Sequence, residues 1–269
     1  NERLENWYKN MLLHKKSNEN IDELRELTSA ANKELSIKFD IIYCYHLLLT
    51  DNINQAGRII TSLKMILKAS CTRNYFLYTN VMILYYYKKK MFSYAVDIGL
   101  TLTKVTDYKT LGKDYELGVF FYNLAINYKS LYLYEKSAFL AEQALSIFKD
   151  HYYLKFSLDC HILLGVCYNN LLKYEKALKF LFTGIRILDY FPNEMHTKYL
   201  GVINNNIGYC YECQNKYNDA VHYYQQSLYH KKDSEKMITL INIIRSLYIQ
   251  GKIDAAKYWL SIAQDLKSE

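Results

Sequence analysis

Residues 164–184 read LGVCYNNLLKYEKALKFLFTG. Their apolar and small residues fall into two helical registers with a polar break between them. Leu164, Gly165 and Tyr168 share one helical face, and Ala177, Leu181 and Gly184 share one face of the next. Gly165 and Ala177 are small enough for two backbones to approach closely, and Tyr174 is placed to plug the turn. The segment predicts two short amphipathic helices joined by a tight turn.

The same spacing recurs along nearly the whole chain. With Leu164 as anchor, the corresponding residues downstream are Ile207, Gly208, Tyr211, Tyr217, Ala220, Tyr224 and Ser227. A further copy runs Ile243, Ile244, Leu247, Ile253, Ala256, Leu260, Ala263. Upstream lies Leu124, Ala125, Tyr128, Tyr134, Ser137, Ala141, Ala144. Two weaker copies are anchored at Met82 and Tyr43. Successive anchors are 39, 42, 40, 43 and 36 residues apart. The pattern resembles the tetratricopeptide (TPR) repeat, whose usual period is about 34 residues. Longer helices and looser joints would absorb the excess, so the units read as a long, degenerate form of that repeat.

The composition agrees with a repeat array. At 269 residues the chain exceeds the usual single core, a limit that stacked repeats escape because each unit packs only on its neighbours. Only nine Gly and one Pro are present, few breakers for so long a helical chain. No run of 18 apolar residues occurs, so no membrane span is expected. The start, NERLENWYKN, is charged and without an apolar stretch, so it does not read as a signal peptide. It has no initiating Met, which leaves room for residues in front of it. The net charge of +7 reads most simply as a solvated basic surface; its functional reading is an acidic partner, or DNA bound by a neighbouring domain.

Six Cys raise the question of a metal. Cys210 and Cys213 form a C-x-x-C, but both fall inside a repeat helix, and Cys167 and Cys210 share one repeat position where small apolar groups pack. No second C-x-x-C or His pair completes a tetrahedral set, so packing is expected and no metal. Reduced Cys in a chain with no secretion signal favours the cytoplasm. The motifs of phosphate-binding loops, zinc proteases and Ser-His-Asp hydrolases are missing, so neither an enzyme nor a cofactor is expected.

Residues 1–36 precede the repeats. Leu4, Trp7, Tyr8, Met11 and Leu12 predict one amphipathic helix; Ser17 to Asn20 supply capping residues for a second that carries Ile21, Leu24, Leu27 and Ala31. This pair reads as a cap or a linker, and residues 37–269 as the repeat domain. The last helix ends with no polar capping element, so truncation, a dimer contact or further repeats are expected there.

Helical repeats build extended concave surfaces, and binding is their default role. Positions just before and two after each anchor face that groove. They give Asn80, then Tyr122 and Asn123, then Asp159, then Asn205, Asn206 and Tyr209, and finally Asn242 and Arg245. Asn123, Asn206 and Asn242 occupy one equivalent position. An Asn amide offers both donor and acceptor, the pair needed to hold the backbone of an extended peptide. Arg245 could take a peptide carboxylate bidentately, or pair with a groove acid such as Glu212.

Repeats of about 40 residues, Asn-bearing groove helices and a Tyr-, Lys- and Asn-rich composition resemble the Rap/NprR/PlcR (RRNPP) family of TPR peptide-pheromone receptors. Leu4-x-x-Trp7-Tyr8 is similar to the helix that opens Rap proteins, and Tyr43 to Leu49 (YCYHLLL) to the aromatic-Leu segment that follows it. Rap phosphatases use a Gln near that segment, whereas residues 31–50 contain none. Nothing here resembles the helix-turn-helix domain of the family's transcription factors. The resemblance implies the sensor region of a cytoplasmic quorum-sensing receptor from a Gram-positive bacterium. Its expected fold is an all-α, right-handed TPR-like superhelix of about six helix pairs plus the N-terminal pair. Its expected partner is a short signalling oligopeptide, whose binding changes conformation or oligomerisation, with a homodimer as one such state. DNA would be reached only through a helix-turn-helix domain outside this stretch. The alternative is a non-enzymatic TPR scaffold, or a Rap-like inhibitor of a protein partner.

Overall fold

Every repeat turns at the same place. Eight residues after each anchor stand Asp51, Lys90, Tyr132, Leu172, Asn215 and Gly251, all left-handed, with φ from 58° to 72°. The N–H of the following residue donates back to the carbonyl five positions earlier: Asn52 to Leu47, Met91 to Tyr86, Leu133 to Tyr128, Lys173 to Tyr168, Lys216 to Tyr211 and Lys252 to Leu247, at 2.8–3.0 Å. This is the helix-ending geometry in which one left-handed residue lets the chain reverse while satisfying the last carbonyls. Glycine adopts that conformation without steric cost, and Leu or Tyr does not. Leu172 is 71% exposed, so its side chain adds little packing. Leu172→Gly should therefore stabilise the fold by about 0.5–1 kcal/mol in chemical unfolding, since left-handed geometry costs a side-chain-bearing residue about 1–2 kcal/mol. Unchanged stability would show that the turn carries no strain.

The computed structural model describes the chain apart from residues 13–18, 68–71, 105–106, 151–152 and 269. Among the described residues there are 14 α-helices and one short 3-10 turn, Tyr108–Thr110. The N-terminal helices are α1 (Glu2–Leu12) and α2 (Ile21–Ala31). Six pairs follow: α3 (Lys33–Leu49) with α4 (Ile53–Ile66), α5 (Arg73–Lys88) with α6 (Phe92–Thr103), and α7 (Asp114–Ser130) with α8 (Tyr134–Asp150). The remaining pairs are α9 (Leu154–Asn170) with α10 (Tyr174–Leu188), α11 (Asn193–Cys213) with α12 (Tyr217–Tyr229), and α13 (Asp233–Ile249) with α14 (Ile253–Ser268). The fold is the all-α helical repeat expected from the spacing. No described helix is long and apolar enough to cross a membrane.

Within each pair the seam is closed by a small residue thirteen past the anchor. Ala56, Ala95, Ser137, Ala177 and Ala220 are fully buried, and Ala256 nearly so. Ser137 keeps the position by donating its hydroxyl to the carbonyl of Ala125 at 2.7 Å. Large side chains then fill the space that glycines leave. A Cβ on Gly208 would sit 2.7 Å from the Tyr224 ring and 3.0 Å from the Ala220 carbonyl, and one on Gly165 would sit 2.6 Å from Leu181. Cys167 and Cys210 are buried in this packing, and Cys210 Sγ lies 3.7 Å from the Tyr174 carbonyl. Among the described residues no three His, Cys, Asp or Glu converge as metal ligands.

The helices divide into two compact units, Asn1–Lys155 and Phe156–Glu269. In the first, α2 is capped by Asn20, whose side chain accepts the N–H groups of Asp22 and Glu23; Ser17 and Asn18 lie outside the described residues. Asn32 caps α3 in the same way through Leu35 N–H, so the first repeat helix begins at Lys33. Trp7 of α1 is buried against Phe39 and His46 of α3, while the Arg25 guanidinium of α2 lies over Phe39 and Tyr43, 5.0 Å from the latter's ring centre. Below this aromatic layer, Glu5 of α1 is enclosed by three cations. It accepts from Arg73 at 2.7 and 3.0 Å, from Lys113 at 2.8 Å, and from Lys38. Burial opposes the charge, but these partners outweigh it and hold the carboxyl well below the usual carboxylate range. Arg73 also donates to Glu116, which is fully buried and caps α7 through Lys113 N–H at 2.8 Å. One ionic cluster thus ties α1 to α3, α5 and α7.

Candidate functional site

In the second unit, α11 and α13 present matching stripes. On α11, Val202, Asn206, Tyr209 and Cys213 recur at helical spacing; Val202 is 36% and Tyr209 39% exposed. On α13 the stripe is Ile238, Ile241, Arg245 and Tyr248, and its three apolar members are 50–68% exposed. These are large apolar side chains left open on the helices that a repeat protein uses for binding, with one amide and one guanidinium among them.

The polar members are held from beneath. Arg245 Nε donates to Glu212 at 2.6 Å and its Nη2 to Asn242 Oδ1 at 3.1 Å. Glu212 also accepts the hydroxyls of Tyr224 at 2.7 Å and Ser246 at 3.2 Å. The Glu212 side chain is only 10% exposed, whereas that of Arg245 is 45% exposed. A buried carboxylate therefore fixes the guanidinium while leaving its outer face open. Burial, then the bond to Glu212, raise the Tyr224 phenol far above its ordinary value, so it stays a donor. The thiol of Cys213, then burial, raise that of Tyr209. The Glu212 partner expected for Arg245 from the sequence is present, and the outer face of the guanidinium stays open.

The other sequence-derived residues differ in how freely they stand. Asn206 is half-buried and spends one N–H on the Val202 carbonyl at 2.9 Å. Asn205 accepts the Thr239 hydroxyl at 2.8 Å, and Asp159 of α9 accepts that of Tyr199 at 3.0 Å. Asn242 is buried and serves Arg245. In the first unit Tyr122 is half-buried, but Asn80 and Asn123 are turned into the helix packing, 3% and 5% exposed. Asn80 Nδ2 reaches the Glu116 carbonyl at 3.5 Å, while Asn80 Oδ1 and Asn123 Nδ2 are buried without a hydrogen-bond partner. The equivalent position of Asn123, Asn206 and Asn242 is thus one position in sequence with different exposures.

No protein-family model matches the chain. A curated relative, "Transcriptional activator NprA" of Geobacillus stearothermophilus, is 28% identical over 211 residues, covering 76% of this chain and 50% of the relative. The chain therefore spans about half the length of the curated relative it matches. Among solved structures, the apo form of the quorum sensor NprR from B. thuringiensis superposes with a TM-score of 0.80 at 20% identity, covering 99% of this chain and 75% of that one. NprR in complex with its cognate peptide NprX gives 0.75 at 20% identity, covering 99% and 78%. A Rap protein complexed with Competence and Sporulation Factor gives 0.74 at 16%, covering 98% and 75%. This chain is similar to the receptors of the Rap/NprR/PlcR family.

Of these, NprA is a transcriptional activator and NprR a quorum sensor. The exposed stripes also carry residues outside the groove positions read from the sequence: Val202, Ile238 and Tyr248. Their signal was apolar side chains at groove-facing spacing, where a solvated helix would carry polar groups. Glu212 was seen only as a partner for Arg245, because its bonds to Tyr224 and Ser246 join three helices.

Proposed function

We propose that this chain is the sensor region of a cytoplasmic, non-enzymatic receptor that binds a short signalling oligopeptide against the α11 and α13 stripes of the second unit. One observation carries the reading: the exposed apolar rows Val202–Tyr209 and Ile238–Tyr248 frame Asn206 and Arg245. Apolar side chains of an extended peptide would be covered by the rows, Asn206 would pair with its backbone, and the open face of Arg245 would take an acidic group. The complexes of NprR with NprX and of Rap with Competence and Sporulation Factor support a peptide as ligand. The activator relative supports a transcriptional effector, reached through a part of the protein beyond this stretch. Binding would act on that effector by favouring one conformation or oligomeric state. A scaffold gripping a C-terminal carboxylate fits less well, because such a grip takes several convergent cations and Arg245 is the one cation in the two stripes.

The experiment is a thermal-unfolding screen against short bacterial peptides, followed by calorimetric titration of any that raise the midpoint. Asn206→Ala should weaken the best peptide about fivefold to tenfold, the worth of one backbone hydrogen bond of about 1–1.4 kcal/mol. A peptide bound equally well by Asn206→Ala would sink the proposed contact, and no stabilising peptide at all would favour a protein partner.

A further inference from the structure

The second unit also contains a cavity of about 540 Å³ away from the centres of those stripes. It lies where the first turns of α11 meet the turn from α12 into α13, and its lining includes Met195, Lys198, Tyr229, His230, Lys231 and Lys232. The cavity is too large for a water or a bare ion and is of small-metabolite size. Met195 and the Tyr229 ring supply apolar surface, three Lys supply cationic donors, and one His supplies an imidazole N–H.

The donors are differently prepared. Lys231 is half-buried and positioned by one N–H to the Thr239 hydroxyl at 2.7 Å, which leaves two N–H groups. Lys198 and Lys232 are exposed at the mouth and make no ion pair among the described residues. Burial lowers the pKa of Lys231, with Glu235 pulling the other way. Burial, then the nearby His196, lower that of His230. Burial thus leaves the Lys231 ammonium poorly solvated, while His230 favours its neutral imidazole, which still carries one N–H donor. The carboxylates on the lining, Glu194 and Glu235, stand in the first turns of α11 and α13, where the helix dipoles already favour them.

We infer that this cavity binds a small phosphate monoester, with the phosphoryl group among Lys198, His230, Lys231 and Lys232 and its organic body against Met195 and Tyr229. A dianionic group with three free oxygens can accept from several cations at once, and the apolar wall gives the remainder of the molecule a surface. The inference does not rest on peptide binding, and its test contains no peptide, so the two readings can fail separately.

Phenyl phosphate is the probe, titrated calorimetrically into the whole chain with phenol as the uncharged control. Saturable binding of phenyl phosphate but not phenol is expected, at least tenfold weaker in Lys198→Ala/Lys232→Ala. Both of those lysines are exposed, so the ligand-free double variant should unfold at the parent temperature. His230→Phe, which keeps a ring but removes the N–H donor, should weaken binding severalfold. Phenyl phosphate affinity unchanged in the double variant, no saturable binding, or phenol bound as tightly would each overturn the site.

Discussion

Arg73→Met will destabilise the first unit by about 3 kcal/mol, the lower end of the range for breaking a buried ion pair, because Arg73 is itself 29% exposed. The cost sits on Glu116. Its side chain is fully buried, and of its partners Arg73 brings the compensating charge. Glu5 would keep Lys38 and Lys113 and lose less. Met fills much of the volume, so the loss reports charge rather than a cavity. Urea unfolding of parent and variant measures it, and a difference under about 1 kcal/mol would mean that solvent reaches Glu116. The cluster also sets an acid limit. The Glu5 carboxyl is held below its ordinary value, so the stability it supplies is present above about pH 4.3 and is lost as the pH falls through its lowered folded value. Glu5→Gln should be less stable near neutrality and should lose less further stability on acidification. A parallel acid profile would place the sensitivity elsewhere.

Glu212→Ala will cost the second unit about 2 kcal/mol, mainly the penalty for leaving one buried donor unpaired, because the equally buried Ser246 hydroxyl can turn to a carbonyl of its own helix. That donor is the hydroxyl of Tyr224, which is fully buried and bonded to Glu212 at 2.7 Å. Arg245 adds little to the cost, because it is 45% exposed and water can solvate it. The expectation is checked by a double-mutant cycle. In a Tyr224→Phe background the hydroxyl is gone, and Glu212→Ala should cost well under half as much. Glu212→Gln keeps an acceptor and should fall between parent and Ala. Equal costs in both backgrounds would show that the destabilisation arises elsewhere.

Most of the fold was legible because repetition averages out local ambiguity. Any one of the six segments is a weak helix-pair signal, but the anchor positions, the small residue thirteen later and the turn recur together. The left-handed residue eight past each anchor was harder to read, since Asp, Lys, Tyr, Leu, Asn and Gly all occupy it. There the pressure to reverse the chain overrides side-chain preference. The site was legible only as a face. Spacing placed Asn206, Tyr209 and Arg245 on it and placed Asn80 and Asn123 equally well, yet the latter two are buried. Helical spacing gives direction around an axis and says nothing of how near the next helix stands.

The sequence by itself determined the helix pairs, their register, and the residues that line each seam, because these follow from contacts within a few turns of one chain segment. Tertiary structure alone decided which groove residues are open, that Glu212 serves Arg245, Tyr224 and Ser246 together, and that Glu5 is enclosed by Lys38, Arg73 and Lys113. Those partners come from helices other than the carboxylate's own, and the Glu5 cluster joins residues up to 108 positions apart. No periodicity records such meetings. They are set by the distance and angle at which packed helices bring distant charges within hydrogen-bonding reach.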